Sequence, residues 1–163
     1  MAGGLTFHIP QEAEPTKVLP LLEAMFFEGK KFATVKALLE FADERGLGNR
    51  TEIQLFARTC GLLERNEGIQ LSDNAETIVQ LKHDVRADLV HFLLYTGWVP
   101  EDPPTNTRLW SYRQVVDSLW YMAPINVVDV TDVLVTEIVN RTDHVFGNLP
   151  DFEGGASFSD KSV

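Results

Sequence analysis

Cys60 is the lone cysteine of a 163-residue chain. It falls in register with Ile53, Phe56, Ala57 and Leu63. Spacings of three and four residues put such positions on one helix face, so a buried structural thiol is expected there, not a nucleophile. His83 and His91 are separated by about two helical turns, but no cysteine, third histidine or carboxylate pattern completes a metal set. His8 and His144 have no local partners. Asp129 and Asp132 flank the expected start of a helix, where a carboxylate is explained by the helix dipole. Gly46-Leu47-Gly48 lacks the lysine and the preceding strand of a phosphate loop. No Gly-x-Ser-x-Gly elbow occurs. The sequence therefore points to no catalytic residue, no metal and no cofactor, and an enzyme is not expected.

The elements that position side chains emerge from periodicity and punctuation. The arm 1–16 is expected to add at most one short strand at Leu5–Ile9. A first helix starts at Thr16, with Val18, Leu21, Leu22, Met25 and Phe26 on its apolar face, and Gly29 stops it. A second carries Phe32, Val35, Leu38, Leu39 and Ala42, and ends at Arg45-Gly46, where glycine suits a left-handed cap. A third starts near Arg50-Thr51. Asn66-Glu67-Gly68 is turn-prone, and Ile69 and Leu71 alternate with polar neighbours, predicting a small hairpin. Ser72 or Asp73 caps a fourth helix, and Asp73-x-x-Glu76 has capping-box spacing. Helical signal then runs to about residue 96 with a break near His83-Asp84. The proline-rich stretch 97–106 predicts a loop. Ser111–Tyr121 predicts a helix with Val115, Val116, Leu119 and Trp120 inward. Ile125–Val130, rich in β-branched residues, predicts a strand, and Thr131 a cap for a last helix bearing Leu134, Val135, Ile138, Val139 and Phe146. The Gly/Ser/Asp-rich stretch 150–163 predicts a flexible tail or linker.

Charge narrows the partners. The 24 acidic and 14 basic side chains give a formal net charge of −10, which repels nucleic acid and anionic membrane at long range. The balance is uneven. Residues 91–163 hold 4 basic and 10 acidic groups, whereas residues 29–65 hold 7 basic and 5 acidic ones. An anionic partner should be met on 29–65. No signal-like segment or spanning stretch is apparent, so a cytoplasmic, reducing location without membrane contact is expected.

Residues 17–80, about 40% of the chain, run helix, helix, short turn, helix, hairpin, helix. Gly61-Leu62-Leu63 closes the third helix, the turn Asn66-Glu67-Gly68 follows, then Ile69-Gln70-Leu71-Ser72 and a new helix. This succession resembles a winged helix-turn-helix domain. The resemblance implies a mainly α-helical protein with a winged-helix N-terminal unit, three helices plus a small β-hairpin. Residues 81–149 would form a helical extension packed on it.

It also implies duplex DNA as a partner, because a helix fits the major groove. The groove-facing side would be Thr51, Gln54 and Arg58, with Thr59 beside them. Gln and Arg contact base edges through paired hydrogen bonds. Arg50, Arg65 and Lys31, with Lys30, would meet phosphates. The bland alternative is an ordinary solvated helix face, and Glu52 and Glu64 work against phosphate attraction. The rival function is a protein–protein interaction or dimerisation module on the same fold. Trp98, Trp110, Tyr112, Trp120 and Tyr121 gather in 98–121. They are read first as core, and second as a partner-binding surface centred on Trp98 and Trp110, through which the C-terminal half would hold a protein partner or a second copy.

Overall fold

The computed structural model describes residues 15–47, 50–104, 106–122, 127–149 and 152; for Arg50, Met122 and residues 127–132 only the backbone is described. The expected strand Leu5–Ile9 and, apart from Phe152, the tail 150–163 lie outside these residues. Seven α-helices and one antiparallel hairpin are seen among the described residues, so the protein is mainly α-helical, as expected. No helix among the described residues is long and apolar enough to cross a membrane. The chain divides into two compact units between Leu94 and Tyr95.

The N-terminal unit begins with α1 (Pro15–Phe27), α2 (Val35–Glu44) and α3 (Arg50–Thr59). Their inward residues are largely those the periodicity selects: Val18, Leu21, Leu22 and Met25 on α1, Leu38 and Ala42 on α2, and Ile53, Phe56, Ala57 and the following Cys60 on α3 are buried. All three helices close in the same way. After α3, Gly61 takes φ +67° and the Leu62 N–H donates to the Ala57 carbonyl at 2.8 Å. Glycine adopts that left-handed conformation without the Cβ penalty. α2 ends likewise at Gly46, with φ +67°.

Strands β1 (Leu63–Arg65) and β2 (Ile69–Leu71) pair with Leu63 opposite Leu71 and Arg65 opposite Ile69. Ile69 is bonded on its other side as well. It exchanges two backbone hydrogen bonds with Phe32, at 2.9 and 2.7 Å. Phe32 is thus a third rung beside the hairpin and not part of the α2 face, as the spacing had suggested. Gly68 makes this possible: its φ is +154°, and a Cβ there would lie 2.8 Å from the Phe32 carbonyl oxygen. Ser72 caps α4 (Asp73–Gln80), its Oγ accepting from the Ala75 N–H and donating to the Gly61 carbonyl at 2.7 Å. One hydroxyl therefore fastens the start of α4 to the end of α3. The helix break falls at Leu81-Lys82, and α5 (His83–Thr96) follows, tied to α1 by the Arg86–Glu23 ion pair.

In the C-terminal unit, α6 (Thr107–Met122) and α7 (Val127–Phe146) are joined side by side. The Trp110 Nε1–H donates to Thr142 Oγ1 at 3.1 Å, and an Arg141 Nη1–H donates to Gln114 Oε1 at 3.1 Å, so the helices run antiparallel. Two expectations fail here. Of the expected strand Ile125–Val130, residues 125–126 lie outside the described residues and Val127–Val130 is helical, and Thr131 lies inside α7 instead of capping it. β-branched residues lower helix propensity by only tenths of a kcal/mol each, and packing along a twenty-residue helix outweighs that. The α6 face is also turned the other way. Trp110, Ser111, Gln114 and Ser118 are buried, while Val116, Leu119 and Trp120 are exposed.

Candidate functional site

The site is built on α3, the hairpin and the lead into α2. α3 is ten residues long, about 15 Å, and packs beside α1, α2 and β1. A helix touching three neighbours buries a wider arc than one touching a single face. On α3 the arc runs from Phe56 through Cys60, Ile53 and Ala57 to Gln54. Gln54 is only 6% exposed, and its Oε1 has no hydrogen-bond partner among the described residues. This corrects the expected groove-facing set: Gln54 points inward and is not available to a base edge. The outward arc is Thr51 and Arg58, both exposed, with Glu52, Leu55 and Thr59 half-buried around them. Sequence reasoning passed over Leu55, which follows Thr51 by one turn and gives the arc an apolar centre.

The expected phosphate-binding cations are placed as follows. Arg65 ends β1 and is exposed; Lys31 is exposed one residue before the Phe32 rung. Arg65 and Phe32 flank Ile69 on opposite sides, and neighbouring strands lie about 4.8 Å apart, so their backbones are about 10 Å apart. Arg50 opens α3, its side chain lying outside the described residues. Among the described residues, Lys30, Lys31, Arg58 and Arg65 make no ion pair. Other arginines are tied. Arg45 grips Glu28 through two nitrogens, with contacts of 2.6–3.0 Å, and stacks 3.5 Å over the Phe41 ring. Arg113 lies 3.8 Å from Asp117, and Arg141 lies 2.8 Å from Glu137.

Carboxylates temper the patch. Lys30 and Lys31 share an open cavity of about 220 Å³ with Glu64, Gln70, Asp73 and Glu76. Glu64 accepts from both Gln70 Nε2 and Asn66 Nδ2 and so braces the hairpin. Cys60, beneath α3, is buried, and desolvation pushes its thiol from 9.0 up to about 12. It is therefore a protonated packing group at neutral pH.

The second candidate surface is not a surface. Trp98 and Trp110 are 6% and 4% exposed. Their rings meet edge to face at 4.6 Å, and Trp110 packs on Phe146 at 5.2 Å. The Trp98 Nε1–H donates to the Pro103 carbonyl at 3.1 Å, and the Trp110 bond to Thr142 continues to the Ile138 carbonyl at 2.7 Å. With both polar tips satisfied, these rings are core, and the expectation of a partner-binding surface centred on them is corrected. The exposed aromatics of this region are Trp120 and Tyr121. Comparison of the chain with protein-family models, with curated proteins and with solved structures finds no match.

Proposed function

We propose that the N-terminal unit is a winged helix-turn-helix module that binds duplex DNA without catalysis, as a regulator or as the targeting subunit of a larger assembly. The succession of three glycine-closed helices, a hairpin with a third rung and a further helix supports the fold reading. One observation carries the DNA reading: Lys30, Lys31, Arg58 and Arg65, the cations assigned to DNA whose side chains are described, are exposed and without ion pairs among the described residues. Surface cations left unpaired are free to replace the counterions condensed on a phosphate backbone.

The mode of contact follows from the outward arc. Arg58 and Thr51 face the groove, and Leu55 between them suits a thymine methyl. Lys31 and Arg65, on either side of the hairpin, reach phosphates and fix the register. With Gln54 buried, base readout rests on Arg58 and is sparse, so sequence preference should be shallow. Glu52, Glu64, Asp73 and Glu76 hold the affinity down.

The test is fluorescence anisotropy with a labelled duplex across salt concentrations. Lys30, Lys31, Arg50 and Arg65 at phosphates predict a slope of log K against log salt of about −3 to −4. Arg58→Glu should weaken binding at least tenfold and leave the thermal midpoint within about 1 °C, since Arg58 is exposed and makes no ion pair among the described residues. Absence of duplex binding at about 50 mM salt overturns the reading.

A further inference from the structure

From Ser111 onward, α6 is inverted for a helix of a lone chain. Ser111, Gln114 and Ser118 are buried, and Ser118 Oγ has no hydrogen-bond partner among the described residues. Val116, Leu119 and Trp120, at i, i+3 and i+4, form an outward apolar stripe. Trp120 is 82% exposed and the adjoining Tyr121 80%. The bonds linking Trp110 to Thr142 and Gln114 to Arg141 fix the antiparallel progression. They bring the exposed Val133 of α7 to the same end of the pair.

We propose that this end of α6–α7 is a two-fold interface with a second copy of the chain, centred on Trp120. Area is the first argument. Aromatic side chains carry roughly 150–250 Å² each, so Trp120 and Tyr121 present on the order of 300 Å². With Val116, Leu119 and Val133 the patch reaches about 500 Å², at the upper end of what a monomer exposes in one place. Two such patches together bury about 1,000 Å², the threshold for a specific interface.

The second argument is charge. Among the described residues, the ionised groups beside the stripe are already matched within the chain. Asp117 accepts from the Tyr95 hydroxyl at 2.7 Å and pairs with Arg113; Glu137 pairs with Arg141. Among the described residues, the patch therefore offers no free charge to select a charged partner. A neutral apolar face satisfies the self-complementarity that a two-fold contact requires. Copies of net charge −10 still repel at long range, so association should tighten as salt rises. That is the opposite sign to DNA binding, and it separates the two events.

Sedimentation equilibrium of the full chain, at about 50 mM and about 0.5 M salt, tests this. The expected result is a reversible equilibrium between 18.3 kDa and twice that mass, tighter at high salt. Trp120→Ser should weaken it at least tenfold, and Trp120→Phe should largely preserve it. Circular dichroism checks that both variants keep their helices, and Tyr121→Ser serves as a second probe should Trp120→Ser unfold. Three results overturn the proposal. One is a monomer at about 200 μM in both salts, which would leave the face to some other macromolecule. The others are a dimer indifferent to both substitutions and a dimer that loosens as salt rises.

Discussion

The two units solve the same problem in opposite ways. In the N-terminal unit, the apolar residues of α2, α3 and α4 point mainly inward, with Phe27 at the end of α1 and Val85 and Phe92 on α5 exposed, each of the first three helices is closed by a glycine, and Arg58 and Arg65 are exposed and make no ion pair among the described residues. In the C-terminal unit, α6 buries Ser111, Gln114 and Ser118 and turns Trp120 and Leu119 outward, while Arg113 and Arg141 are held by acids. The contrast teaches that the first unit's spare resource is charge, whereas the second's is apolar surface. Each resource suits a different partner: a polyanion for the first and a like surface for the second.

The comparison can be strained hardest at the tryptophan core. Trp110→Ala removes a ring packed against Trp98 and Phe146 and leaves Thr142 without its donor. A loss of about 3–5 kcal/mol is expected, read by urea denaturation. Amide exchange should rise throughout α6 and α7. If both helices stay protected, the cluster is not what holds that unit together.

A smaller effect is expected at high pH in the N-terminal unit. The folded state keeps the Cys60 proton up to about pH 12, while the unfolded chain releases it near 9.0. Stability from this group is therefore intact below pH 9 and lost as pH rises from 9 towards 12, at about 1.4 kcal/mol per pH unit. Urea midpoints at pH 8 and about 10.5 should differ by about 2 kcal/mol more in the parent than in Cys60→Ala. Equal pH dependence in the two proteins would mean that the thiol is not desolvated.

The mildest change sharpens the contrast further. Gln54 is the polar exception in the N-terminal core, so Gln54→Leu should leave stability unchanged or raise it by about 1 kcal/mol, because an unsatisfied buried oxygen is removed. Duplex binding should be unaffected. A tenfold loss of binding in that variant would restore Gln54 to the contact set and show that α3 turns on its ligand.

Much of the fold was legible because local chemistry fixes it. The Gly46 cap, the Asn66-Glu67-Gly68 turn and the Ser72 start of α4 each depend on a few adjacent residues. The candidate site was legible in part. Exposed Thr51, Arg58, Arg65 and Lys31 follow from helical period and turn position. Gln54 does not, because its place on α3 is marginal: in a helix with one neighbour it would flank the solvated face, and contacts to α1, α2 and β1 draw it inside.

Taken alone, the residues determined the order of elements through Gln80, the glycine and serine punctuation, the acidic excess after residue 90 and the basic stretch around α3. Only the tertiary structure decided that 127–130 is helix, that Trp98 and Trp110 are core, and that α6 faces outward with Trp120. The physical reason is that periodicity groups residues onto a common face, but both faces of α6 carry large side chains. Which of them is buried is then set by the ring cluster of Trp98, Trp110 and Phe146, contributed by segments up to 48 residues apart in the chain.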